Sequence, residues 1–193
     1  MLFAYDTEAM LVFMAALINT EPGASASGED ELTTLEQLVD LTERFGYAVR
    51  TDHDAAELAA IRRVRTELRG FWGLDREHAA ERVNRILREE RALPQLARHE
   101  GWDWHIHATP AGAPLVSQMR VEAAMALIDV IRAAETERLR DCAADDCTAV
   151  LVDLSRNRSK RYCDVGNCGN RMNVNAYRAR RASAQNRSAE STR

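Results

Sequence analysis

All four cysteines of the chain fall between positions 142 and 168, as Cys142-x4-Cys147 and, after fifteen intervening residues, Cys163-x4-Cys168. Two close pairs joined by a hairpin-length spacer are the pattern of one tetrahedral four-thiolate zinc site. Four thiolates leave no coordination position open, so the expected cofactor is a single structural Zn2+ held by Cys142, Cys147, Cys163 and Cys168. A module this small has little apolar core of its own, and metal binding should supply most of its folding free energy. On that basis, losing the metal unfolds the module and spares the rest of the chain.

Charge divides the chain at the same place. The whole carries a formal net charge of −4, but residues 138–193 hold twelve basic against six acidic residues, while 1–137 hold fourteen against twenty-four. A polyanion could therefore sit on the C-terminal part and not on the body. Lys160 is the only lysine among 26 basic residues, so position rather than residue type carries this inference. No run approaches the roughly 18 apolar residues of a membrane helix. The apolar stretch Ala9–Ile18 follows an acidic flank, unlike a signal peptide. The chain is expected to have no membrane partner and to lie in the cytoplasm, where clustered cysteines take metal rather than form disulfides.

Residues 1–137 read as mostly helical. Met10, Phe13, Met14, Leu17 and Ile18 recur at helical spacing over 6–19. Residues 21–31, with Pro22, Gly23 and Gly28, form a loop. Thr34 with Gln37 is a capping box opening a helix that Gly46 ends. Asp52 or Asp54 caps the next helix, striped by Leu58, Ile61, Val64 and Leu68 as far as Gly70. Asp75 caps another, with Ala79, Val83, Ile86 and Leu87 inward. Around His99-Glu100-Gly101 the pattern turns to strand alternation, with Trp102, Trp104 and Ile106 on an apolar face and Asp103, His105 and His107 on a polar one; Trp102 and Trp104 read as core. From Leu115 a long helix is expected to reach about Leu139 and enter Cys142. His53, His78 and His99 read as surface or cap residues. The body is thus mainly α with a small β-hairpin, an α+β arrangement.

In the finger, residues 148–153 form a strand, Ser155–Ser159 a turn, and Arg161–Cys163 a return strand. A helix follows Cys168, with Asn167 or Asn170 as its cap. This is a treble-clef-like or zinc-ribbon-like four-cysteine finger over 138–182, followed by a polar tail at 183–193 that is expected to be disordered. Arg156 in the turn has Asp153 and Asp164 as possible acidic partners.

The runs CAADDC at 142–147, DLSRNRS at 153–159, RYC at 161–163 and CGNR at 168–171 resemble the CGNR zinc-finger family. Members of that family carry an N-terminal ABATE-type domain and are described as stress-induced transcription regulators of high-GC Gram-positive bacteria. An early apolar helix ending in Ile18-Asn19-Thr20, the Trp/His hairpin and the long helix fit that domain. Asp164-Val165-Gly166-Asn167 departs mildly from the family pattern; no metal ligand does. The resemblance implies DNA binding. Arg171, Asn175, Arg178 and Arg181 would share a helix face suited to base edges in the major groove. Arg156, Arg158, Lys160 and Arg161 would hold phosphates. Ser155, Asn157 and Asn170, along with Arg171, are also candidates to brace the turn and the zinc knuckles. The competing reading is an interaction module for a protein or RNA partner. No catalytic grouping stands out, and an enzyme is not expected. His105 and His107 share a strand face without an evident third ligand. A small-molecule effector or a second copy of the chain would be the partner of the body, and an aromatic hairpin on helices could enclose a pocket.

Overall fold

The computed structural model describes residues 2–46, 52, 54–99, 102–110 and 112–190. Its elements are α1 (Tyr5–Ile18), α2 (Leu35–Arg44), α3 (Ala55–Arg69), α4 (Arg76–Glu89), β1 (Gln95–His99), β2 (Trp102–His107), α5 (Leu115–Arg132), β3 (Leu139–Asp141), β4 (Val150–Val152) and α6 (Cys168–Glu190). A short 3-10 turn at Thr136–Arg138 precedes β3. Helix α1 is apolar on most sides because it is surrounded: it packs on α3, α5 and β4, and Leu11, Met14, Leu17 and Ile18 are sealed from solvent. Helix α5 is the second central element, packed on α1, α3 and α4.

The polar ends of these helices are set by side chains that the sequence makes plain. Thr34 and Gln37 form the capping box of α2, Asp54 rather than Asp52 accepts the Glu57 N–H to start α3, and Asp75 accepts the His78 N–H to start α4. Two guanidiniums then tie the helices together. Arg65 of α3 grips Asp30 with a bidentate fork (2.8 and 2.9 Å) and also donates to Thr20. Arg120 of α5 meets Glu67 at 2.8 Å, Glu89 at 2.6 Å, and Glu90.

Four expectations change. Helix α5 stops at Arg132, not Leu139: Ala134 takes φ 57, its N–H reaches the Ile131 carbonyl, and the Glu135 N–H reaches that of Val130. That pair of bonds is a Schellman close with alanine in the position glycine usually fills. The chain then turns into β3, which pairs antiparallel with β4 in the register Leu139↔Val152, Arg140↔Leu151 and Asp141↔Val150. The return strand expected at Arg161–Cys163 is therefore not the partner of β4.

The β1–β2 hairpin forms where expected, with Leu96 opposite Ile106 and Ala97 opposite His105, but its faces are reversed. His105 is buried, while Trp104 is 61% exposed and Ile106 43%. The helical face beneath carries Glu122 and Asp129, so the imidazoles rather than the rings turn toward it. On its outer side Trp104 meets the Arg98 guanidinium, 5.8 Å from the ring centroid. His53 and the side chains of His99 and Trp102 lie outside the described residues.

Finally, α6 runs on to Glu190, past the boundary after Ala182 where a disordered tail is expected to begin. Ala182, Ala184, Gln185 and Ala189 are favourable helix formers and nothing in that stretch breaks the helix. Residues 191–193 lie outside the described residues.

Candidate metal centre and nucleic-acid interface

Strand β3 delivers the chain into Cys142, whose N–H donates to Ala149 O at 2.8 Å across the hairpin. The Cys147 N–H closes the first knuckle on Ala144 O, and the Ala143 N–H reaches Arg161 O at 2.8 Å, fastening the second ligand pair to the first. Cys168 is the first residue of α6. This places a knuckle, a hairpin and a helix start around one point, the treble-clef-like arrangement.

The four sulfur atoms all lie within 4.8 Å of one another. Cys147 Sγ and Cys168 Sγ each stand 3.7 Å from Cys163 Sγ. Zinc bound at about 2.3 Å from each of four thiolates separates them by about 3.8 Å, so the donor set and its spacing fit one zinc ion. Burial pushes the Cys142 and Cys147 thiols up, that of Cys147 to about 12, and a bound dication offsets the penalty of holding them as thiolates. At Cys163 burial acts in the same sense, but the N–H groups of Gly166 and Val165 outweigh it and lower the thiol. The site is closed and structural.

Residues outside the finger complete this core. Ala24, in the loop after α1, is 2% exposed and packs with Cys142, Ala144, Ala149, Cys163 and Cys168. Asn19, at the C-terminal end of α1, donates from Nδ2 to Val150 O (2.9 Å) and accepts the Val150 N–H on Oδ1 (2.7 Å). Its amide thus pairs with β4 as a neighbouring strand would. Trp72 Nε1 donates to Leu151 O at 3.1 Å, and Arg69 donates to Thr148 O. Leu139, Val150 and Val152 belong to the same apolar core as α1 and α5. A boundary drawn at residue 137 cuts through this shared packing.

Asp153, fully buried, organises the turn that follows. Its carboxylate accepts the Ser155 hydroxyl and N–H and the Lys160 N–H, and pairs with Arg140 at 3.1 Å. Burial opposes ionisation there, yet these donors hold the carboxyl below the usual range. Arg138, 3% exposed, donates to Asp153 O and Ser155 O. Neither acidic partner expected for Arg156 goes to it: Arg140 takes Asp153, and Lys160 Nζ takes Asp164 at 2.6 Å.

The cations expected at the interface fall into two groups. Arg158 is pinned to Glu135 at 2.8 Å, Lys160 to Asp164, and Arg161 lies 5.8 Å from the Tyr162 ring centroid. Arg171 turns back on the metal centre, donating to Cys168 Sγ at 3.3 Å and pairing with Asp146. By contrast, Arg156, Asn175 and Arg178 are exposed and make no ion pair or side-chain hydrogen bond among the described residues, and Arg181 lies 5.9 Å from the ring centroid of Tyr177 on its own helix. Ser155 sits within the Asp153 turn; Asn157 and Asn170 are exposed and make no bond to the knuckles among the described residues. Every residue from Asn173 to Arg181 is exposed, so α6 is anchored by its first turn and is open to solvent over that run.

Residues 12–134 match the ABATE family, described as "putative stress-induced transcription regulator". Residues 138–181 match the CGNR zinc finger. Neither description is that of an enzyme. No curated protein gives a significant match.

Proposed function

The chain belongs to the ABATE family and carries a CGNR zinc finger, and from that premise we propose that it regulates transcription by binding DNA through α6. The observation that carries this reading is the exposed run of α6. Five arginines against one glutamate lie on this helix, which is exposed throughout from Asn173 to Arg181. Asn175 and Arg178 project from nearly one face, with Arg181 close beside it, since residues three and four apart are neighbours on a helix. Asparagine suits adenine and arginine suits guanine in a major groove. Arg156 on the turn, with Arg158, Lys160 and Arg161 behind it, forms the phosphate-holding surface, while Arg171 serves as a brace that fixes the angle of α6 through Cys168.

One observation favours docking to a protein instead: Val174 and Tyr177 are exposed on the same helix, at 39% and 54%. The two readings separate in a titration of the full zinc-loaded chain against duplex DNA over a salt series. DNA binding through these cations gives an affinity that falls steeply with salt. Arg178→Glu with Arg181→Glu weakens it at least about tenfold and flattens the slope by about 0.9 for each phosphate no longer neutralised. Affinity that ignores salt, or survives both substitutions, refutes the DNA reading.

A further inference from the structure

Between α1, α5 and the inner side of the hairpin lies a cavity of about 660 Å3, the size of pockets that enclose small organic molecules. Its floor is apolar and adaptable, with Met10, Phe13, Met125 and Ile128 supplying rings and thioethers. The rim contributed by β2 is already ordered. His105 Nδ1 lies 2.7 Å from Asp103 O, which can only accept, so that nitrogen carries the proton. His105 Nε2 lies 2.9 Å from His107 Nε2, and His107 turns its Nδ1 toward Glu122 at 3.7 Å.

The charges on the wall select the occupant. Among the described lining residues three are carboxylates, Asp6, Glu122 and Asp129, against one guanidinium, Arg132. Asp129 is oriented by the Thr7 hydroxyl at 2.7 Å. Neither Asp6 nor Asp129 forms an ion pair among the described residues. Low-dielectric walls focus the field of such groups. A bound anion would meet that field unfavourably. A neutral apolar molecule would strip water from both aspartates and return no partner. A molecule with an apolar or aromatic body and a positive centre satisfies floor and wall together.

We propose that this cavity is a binding site for an amphipathic organic cation. It goes beyond the DNA-binding reading and is tested without DNA, so the two fail separately. The full zinc-loaded chain is titrated calorimetrically with tetraphenylphosphonium and with the smaller benzyltrimethylammonium, against tetraphenylborate, which has the shape of the first and the opposite charge. At least one cation binds saturably, one per chain, and at least about tenfold more tightly than the borate. Asp129→Asn, which keeps an acceptor for Thr7, and Asp6→Asn each weaken the cation several-fold with zinc content and helicity unchanged. Met125→Trp, filling the floor, removes binding. Should Met125→Trp fail to fold, the two aspartate variants decide the matter. The proposal is overturned if neither cation binds, if the borate binds as well, or if neither aspartate substitution changes the affinity.

Discussion

Asn19→Ala is the sharpest test of whether body and finger fold as one unit. Asn19 is 8% exposed and Val150 1%, and the amide exchanges two hydrogen bonds with the Val150 backbone at 2.9 and 2.7 Å. The substitution leaves a buried N–H and a buried C=O without partners, at about 1–3 kcal/mol each. The two together amount to about 2–6 kcal/mol, and some water entry at this edge brings the total to the lower half of that span, about 3 kcal/mol. With a urea m-value of about 2 kcal/mol per molar, the midpoint falls by about 1.5 M. The assay is urea unfolding of the zinc-loaded chain, following helix by far-ultraviolet circular dichroism and metal release with a chromophoric chelator in the same samples. Helix loss and zinc release should coincide in the parent chain and move down together in the variant. A change below about 0.5 kcal/mol, within the spread of ordinary surface substitutions, would refute the coupling through Asn19. So would zinc leaving in an early transition while the helices keep their midpoint.

Two other consequences follow from the charged groups. The Arg65 fork holds the Asp30 carboxyl down to about 2 from an ordinary 3.8. A depressed folded-state pKa contributes stability above the unfolded value that is lost as pH falls through the folded one. Up to about 2 kcal/mol should therefore disappear between about pH 4 and pH 2; thermal melts over that range should show the loss in the parent chain and a flatter profile in Asp30→Asn. Arg171→Ala removes the donor to Cys168 Sγ and the partner of Asp146. It should weaken zinc retention by about 10–100-fold in a chelator competition, as removal of groups that orient metal ligands does; unchanged retention would leave Arg171 free for DNA.

Features carried by local chemistry are legible directly in the chain. The cysteine spacing identifies the metal ligands, Thr34, Asp54 and Asp75 announce helix starts, and the alternation at 102–107 marks a strand. What the chain does not announce depends on partners distant in sequence. Asn19 at a helix end looks like an ordinary cap, and only the fold brings Val150, 131 residues away, to its amide. Asp153 sits in a polar run that resembles a solvated turn, yet Arg138 and Arg140 reach it from the far side of the hairpin. The hairpin's faces come out reversed because alternation fixes which residues share a side, not which side meets the body. The end of α5 is hidden because an alanine, not a glycine, adopts the left-handed turn at position 134.

The shared packing changes what the metal is expected to control. An autonomous finger would transmit nothing to the body beyond a tether. Here β4 lies against α1, Ala24 of the following loop closes the cysteine cluster, and Glu135 after α5 holds both Arg138 and Arg158. Helices α1 and α5 therefore bound the cavity along their length and the finger at their C-terminal ends. Helix α6, fixed at Cys168 and Met172 and exposed from Asn173 to Arg181, takes its direction from a metal centre whose far wall belongs to the body. A shift of α1 against α5 would reach α6 through Asn19 and Ala24 without any flexible linker. Substitution at Ala24, which packs on the cysteine cluster, should accordingly alter zinc retention first and, through it, the DNA affinity proposed for α6.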